Sequence, residues 1–530
     1  MTLLTIEQLS VSFPQTDAVR DISFSINQGE RFALVGESGS GKTVTALTIL
    51  GLLQHAQIKG SIVFNGLSLL EQTENALCRL RGKEIAMIFQ EPMSALNPVM
   101  TIGAQISEVM QLHESINPHA ARQRTIELLA RTGIDQPEQR LAHYPHQLSG
   151  GQRQRVMIAM ALACKPKLLL ADEPTTALDV TIRRQIMSLL KELQNEFGMA
   201  IMLITHDLNL VQQFAQRVGV MQNGQLVELG HTNSVFTNPQ HRYTQKLLHS
   251  LPQRAVTALP DKAPPLLTAQ SLSVQFPRRQ PIQWQSPSSW FHSTPFIALR
   301  SIDLVLHQGE TVGLIGESGS GKTTCAMALL GLQTLSGGQV TFLGQTLEHA
   351  SQQTRQYLRS QLQIVFQDPF GSLSPRMNIE EIISEGLKLH QPQLTSASRR
   401  ECIVETLQEV GLDQNILNRY PYEFSGGQRQ RIAIARVLVL KPKIIVLDEP
   451  TSALDVSIQQ QILLLLAKLQ KKHGIAYLLI SHDLSVIRAL SHRILVLKDG
   501  ALVEQGETEA LIKQPQHPYT QTLFAAAMLP

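Results

Sequence analysis

The sequence predicts an α/β protein made of one unit used twice, and three observations predict it. The eight-residue string GESGSGKT occurs at residues 36–43 and again at 316–323. Each copy follows a short apolar run, FALVG from Phe32 and VGLIG from Val312, which reads as a buried parallel strand. A helix pattern follows the first copy, read as residues 45–53, and both copies are succeeded by the same motifs in the same order.

The string fits the phosphate-loop pattern G-x-x-x-x-G-K-[ST], in which glycines let backbone N–H groups converge where a side chain would block a phosphate. Gly36, Gly39 and Gly41 are expected to supply the permissive backbone, with Glu37, Ser38 and Ser40 between them. Lys42 is expected to neutralise β and γ phosphates, and the Thr43 hydroxyl to sit on Mg2+. Gly316, Glu317, Ser318, Gly319, Ser320, Gly321, Lys322 and Thr323 repeat these roles.

Each later motif ends an apolar strand or starts a helix. AMIFQEP and QIVFQDP place Gln90 and Gln367 at strand ends, where an amide reaches both Mg2+ and an attacking water. A helical region of about fifty residues then leads to LSGGQRQR and FSGGQRQR. Their paired glycines, within Ser149, Gly150, Gly151, Gln152 and Ser425, Gly426, Gly427, Gln428, expose backbone donors for an anion at a helix start. LLLADEPT and IIVLDEPT end in paired carboxylates: Asp172 and Asp448 to hold Mg2+ through water, Glu173 and Glu449 to polarise the attacking water. LITHD and LISHD end in His206 and His482, placed to hold the γ phosphate and orient that water. No motif is degenerate in either half, so two hydrolytic sites are expected.

Composition bounds the rest. A chain of 530 residues with 43% hydrophobic content predicts several packed domains. A formal net charge of only +3 gives no reason to expect a nucleic acid partner. Four scattered cysteines without C-x-x-C spacing argue against a disulfide framework or zinc site and suit a reducing compartment. The opening MTLLTIEQLSVSF alternates like a strand and does not resemble a signal peptide. No run approaches the ~20 apolar residues of a membrane span, so other chains would have to supply one.

Lys42 pairs with Lys322 and His206 with His482, which sets a first domain at 1–250, a linker at 251–266 and a second domain at 267–530. The linker, LPQRAVTALPDKAPP, loses periodicity and gains proline; about 15 flexible residues reach only about 20 Å, enough to keep the units tethered. An insertion at 278–296 holds both tryptophans, Trp284 and Trp290, and reads as a docking loop or a mobile excursion between the first two strands of the second unit.

Phosphate loop, glutamine, SGGQ segment, Asp-Glu strand, A-L-D turn and histidine, in that order and twice, resemble the ABC ATPase family over nearly the whole chain. The resemblance implies two tandem domains, each a RecA-like core with an antiparallel β subdomain and an α-helical subdomain carrying the SGGQ signature. It implies ATP sandwiched between the phosphate loop of one unit and the signature of the other, Asp179 and Asp455 between the two sites, and adenine stacked on Phe13 and Phe276. Within the family, EPMSALNP and DPFGSLSP after the glutamines, with PQHRYTQKLL and PQHPYTQTLF near the ends, resemble the ATP-binding subunits of peptide and nickel importers. The fused form looks most like ATPases of microcin C and oligopeptide import, with glutathione or nickel-chelate import as alternatives. That resemblance implies two separate permease subunits contacted by the segment after the glutamine, and an extracytoplasmic solute-binding protein. It also implies a peripheral position on the cytoplasmic face of the inner membrane, and no iron–sulfur cluster is expected. A tandem ABC ATPase acting on ribosomes would instead show a long charged arm between its units, where this chain has a short Pro-Ala segment.

Overall fold

The computed structural model describes residues 1–91, 95–175, 180–250, 252–256, 259, 263–277, 295–452 and 454–527. The chain divides into two compact units, 1–251 with 455–457 and 252–454 with 458–530.

The first unit begins with β1 (Thr2–Phe13) and β2 (Thr16–Asn27), which pair antiparallel, and is completed on β1 by β4 (Gln57–Phe64) and the short β5 (Leu67–Ser68). The second sheet contains β3 (Arg31–Val35), β6 (Ile85–Ile88), β7 (Leu168–Asp172), β8 (Ala200–Thr205), β9 (Arg217–Gln222) and β10 (Gln225–His231), in the order β10-β9-β3-β8-β7-β6. All its neighbours are parallel except β9 with β10. Strands β7 and β8 are buried at every residue, which is why they read as unbroken apolar runs: both faces of a parallel sheet are covered.

The period-2 geometry of those strands sorts the core. Phe32, Leu34, Leu168, Leu170, Met202 and Ile204 pack with the antiparallel sheet and helix Lys42–Ile49. Their neighbours Leu169, Ala171, Ile201 and Leu203 pack on the opposite face with Met157, Ile158, Ile186 and Leu190. Helices Ile102–Glu114 and Pro118–Arg131 build a separate core with Val156 and Ala159. Helix Gly150–Ala161 therefore joins the helical region to the main sheet, through side chains on two of its faces.

The second unit repeats this design. An antiparallel sheet runs β12-β11-β14-β15, from β11 (Pro265–Phe276), β12 (Phe296–His307), β14 (Gly337–Phe342) and β15 (Gln345–Thr346). The main sheet runs β16-β17-β18-β13-β19-β20, from β13 (Thr311–Ile315), β16 (Leu362–Val365), β17 (Ile444–Asp448), β18 (Ala476–Ile480), β19 (Arg493–Lys498) and β20 (Ala501–Glu507).

Two local expectations are corrected. The helix after the first phosphate loop is Lys42–Ile49, not 45–53. It ends because Gly51 adopts φ 63° and closes a Schellman turn, with Gly51 N–H donating to Thr48 O and Leu52 N–H to Leu47 O, both at 3.0 Å. The proline-rich segment is also less free than its composition suggests. Ala255 N–H donates to Ala489 O at 2.8 Å, and Arg254 donates to Arg488 O at 3.0 Å and pairs with Glu509. The tryptophan insertion, Asp179 and residues 92–94 of the segment after Gln90 lie outside the described residues.

Candidate active site

Each phosphate loop sits between the first main-sheet strand and the helix that Lys42 or Lys322 begins. The fit against the antiparallel sheet is tight at Gly41, where φ is 98° and a Cβ would lie 2.5 Å from Ala18 O; at Gly321 φ is 102° and Ala298 O would be 2.8 Å away. Only glycine meets both demands. The antiparallel sheet thus abuts the loop through the backbone of β2 or β12. At Gly39 and Gly319, by contrast, a Cβ would meet nothing within 4 Å among the described residues.

Lys42 Nζ donates to Gly36 O at 2.7 Å and to Glu37 O at 2.8 Å, with Ser40 Oγ at 3.3 Å. Lys322 Nζ repeats the first two at 2.7 and 2.9 Å. Burial lowers the Lys42 pKa, opposed by Asp172 and Glu173 among nearby carboxylates. Among the described residues, buried Ser320 Oγ has no hydrogen-bond partner.

The structure brings together glutamine, glutamate and histidine in both units. Gln90 Nε2 donates to Glu173 Oε2 at 2.9 Å, and His206 Nδ1 lies 2.8 Å from Glu173 Oε1. The copies are Gln367 to Glu449 at 2.8 Å and His482 to Glu449 at 3.0 Å. Both glutamates hold left-handed backbone, φ 45° at Glu173 and 47° at Glu449, with their N–H groups bonded to Ile204 O and Ile480 O. A non-glycine residue there stores on the order of 1 kcal/mol of strain, and the bend turns the carboxylate off the strand's end. Burial opposes charging His206, but the bond and charge of Glu173 outweigh it and raise its pKa. For Glu449, burial acts to raise the pKa, yet His482 and Lys322 hold it below the usual carboxylate range. A deprotonated carboxylate beside an imidazole is what general-base work on water requires.

Asp172 and Asp448 occupy a drier position. Burial raises each to about 6, offset in part by hydrogen bonds from Thr43 and Thr323. Thr323 Oγ1 lies 3.5 Å from Asp448 Oδ2. A buried carboxylate with a hydroxyl beside it is a hard-oxygen donor set that suits Mg2+, whose charge would relieve the burial penalty.

Ser149 and Ser425 start their helices through a capping box the sequence reading passed over. Ser149 Oγ accepts from Gln152 N–H at 3.3 Å while Gln152 Oε1 accepts from Ser149 N–H at 3.0 Å, and Ser425 pairs with Gln428 in the same way. The signal was present as S-x-x-Q. Among the described residues Gly150 and Gly426 have no tight neighbour, but a Cβ at Gly427 would lie 2.5 Å from Ile458 Cγ2, a stiff β-branched side chain. Gly427→Ala is therefore expected to destabilise the second unit by about 1–3 kcal/mol, and Gly426→Ala by less than half as much, measured by thermal unfolding. Phe13 and Phe276 end their strands partly buried against the antiparallel-sheet cores.

Sequence reasoning missed a tyrosine in each unit. Tyr243 and Tyr519, in the terminal PQH-x-YTQ segments, accept from the backbone N–H of Glu37 and Glu317 in the phosphate loops. The repetition of that segment in register was the available signal.

Among known proteins, the family described as ABC transporter matches residues 19–176 and 299–452, more than half of the chain. The family described as oligopeptide/dipeptide transporter, C-terminal region, matches residues 227–275 and 503–530. An Escherichia coli K12 protein named as an uncharacterized ABC transporter ATP-binding protein, YejF, is 50% identical over 99% of both chains. The peptidoglycan transport ATP-binding protein YejF of Agrobacterium fabrum is 50% identical over 99% of this chain and 96% of its own. The glutathione import ATP-binding protein GsiA of Escherichia coli K12 is 44% identical over 99% of this chain and 89% of its own. With two matched ATPase units, each carrying a phosphate loop and a Gln-Glu-His cluster, the chain belongs to the ABC transporter family as a fused, two-unit ATP-binding protein.

Proposed function

We propose that this chain drives uptake of peptide-like solutes through separate permease subunits, hydrolysing ATP at both of its phosphate loops. The observation that carries the reading is the intact, hydrogen-bonded Gln-Glu-His cluster in each unit, in a chain half identical from end to end to fused transport ATP-binding proteins.

In this reading the N–H groups of both loops bind phosphates, and Lys42 and Lys322 turn from loop carbonyls to phosphate oxygens. Thr43, Gln90 and Asp172, and Thr323, Gln367 and Asp448 in the copy, would hold Mg2+, partly through water. The ion would neutralise phosphate charge. Glu173 and Glu449 take a proton from water, while His206 and His482 orient that carboxylate and contact the γ phosphate. The Ser149 and Ser425 helix starts offer backbone donors to anionic oxygen, and Phe13 and Phe276 stack on adenine.

Among the described residues no helix is long and apolar enough to cross a membrane. The chain would act from the cytoplasmic face of the inner membrane, held there by two permeases that receive solute from an extracytoplasmic binding protein. Glutathione is the second reading for the solute, favoured by the 44% identity to the glutathione import protein over nearly all of this chain.

Purification from membranes in mild detergent of the tagged Glu173→Gln, Glu449→Gln protein with ATP is expected to bring down two multi-spanning proteins. Their associated binding protein, assayed against oligopeptides and glutathione, then identifies the solute. Recovery of ribosomes without permeases would refute the transport reading.

A further inference from the structure

In both units a terminal helix reaches back to the phosphate loop through one phenol. Tyr243 Oη accepts from Glu37 N–H at 3.1 Å, and Tyr519 Oη accepts from Glu317 N–H at 3.0 Å. Each tyrosine is fixed by the same chain of contacts. On β10, Glu228 accepts from the backbone N–H of Gln240 at 2.8 Å and of His241 at 3.1 Å. His241 Nδ1 accepts from Tyr243 N–H at 3.2 Å at the start of helix Arg242–His249. On β20, Glu504 accepts from Gln516 at 2.7 Å and His517 at 3.1 Å, and His517 Nδ1 accepts from Tyr519 N–H at 3.1 Å.

The rings are anchored as well. Tyr243 is buried with Val220 and Leu247, and burial raises its phenol to about 12, so it keeps its proton at neutral pH. Lys498 Nζ stands 4.9 Å from the centre of the Tyr519 ring.

We propose that Tyr243 and Tyr519 are positioning residues for nucleotide, holding the second residue of each GESGSGKT string so that the loop keeps its phosphate-binding shape. The terminal segments are then part of the ATPase sites. The inference rests on the reading of these loops as the ATP sites. A loop amide that loses its acceptor must be left unsatisfied or move to find another, and either change loosens the loop before ATP arrives. Once ATP is bound, its phosphates impose the shape, so the loss falls on binding more than on the chemical step.

Phenylalanine removes only the oxygen and keeps the ring. For the full chain carrying Tyr243→Phe and Tyr519→Phe, calorimetry with MgATP is expected to show binding weakened about 3- to 10-fold. KM for ATP should rise by a similar factor while kcat falls less than about twofold. Glu228→Gln with Glu504→Gln, which loosens the anchor without touching the ring, should weaken binding in the same direction. ATP affinity and KM equal to wild type in the phenylalanine double variant would overturn the proposal, whatever happens to its melting temperature. Lys42→Ala with Lys322→Ala separates the two readings. If it binds ATP like wild type, the loops are not the ATP sites and both readings fail; if it does not, an unaltered phenylalanine variant sinks the tyrosine proposal alone.

Discussion

Replacing both Glu173 and Glu449 with glutamine is expected to cut ATP turnover by about 10²- to 10³-fold, while ATP still binds. The amide cannot take a proton from water, and a positioned general base contributes typically about 10²- to 10⁴-fold. Glutamine keeps the side-chain length and one acceptor oxygen, so contact with Gln90 or His206 can persist where a shorter residue would lose it. Each single substitution should lower turnover at least about twofold, because both clusters carry the same groups at matching distances. A single variant that hydrolyses ATP at the wild-type rate would show that one of the two sites is silent. Steady-state turnover of the singles and the double, with binding measured in parallel, decides the point.

The second large effect concerns a carboxylate outside the site. Glu310, almost fully buried, accepts from Arg493 Nε at 2.6 Å and from His307 N–H at 2.9 Å, and ties the first strand of the main sheet to its neighbour β19 and to β12. Glu30 does the same in the first unit with Arg217 and Asn27. Glu310→Ala leaves the Arg493 guanidinium without its main partner. Removing one member of a buried pair costs about 3–5 kcal/mol, discounted here to about 2–3 because Arg493 is a third exposed. At about 2–4 °C per kcal/mol, the second unit's melting temperature should fall by about 5–10 °C.

The pH dependence of that loss has a definite sign. Burial acts to raise the Glu310 pKa, but Arg493 and His307 overcome it and hold the carboxyl below its ordinary value of 4.5. Unfolded chain therefore takes up the proton first as pH falls. The stabilisation is complete above about pH 4.5 and disappears as pH drops through the lower folded value. Calorimetric scans of wild type and Glu310→Ala should differ most at neutral pH and converge in acid.

These two cases show what the sequence made legible. The phosphate loops, the Asp-Glu strands and the signatures are contiguous strings whose chemistry needs adjacent residues, so their place on strand ends and helix starts could be read before any coordinates. Gln90, Glu173 and His206 were each recognised by order along the chain; that one carboxylate receives both partners depends on β6, β7 and β8 lying side by side, a fact of sheet order. The contact of Tyr243 with Glu37 depends on a terminal helix folding back, so the repeated segment marks the tyrosine but not its partner. The early end of helix Lys42–Ile49 was misread because Leu50, Leu52 and Leu53 continue an apolar run past the glycine that stops it. Glu30 and Glu310 belong to no sequence motif, and their burial is settled by what packs around them.

The left-handed backbone under Glu173 and Glu449 bears on how duplicated chains drift apart. The strain and the bond from each N–H to the next strand belong to the main chain, so the bend survives when the carboxylate is exchanged for an amide. Mutation can therefore retire the chemistry of one copy with little loss of folding stability. Selection on the fold alone will not keep both glutamates; on the proposed reading, it is turnover at two sites that requires them.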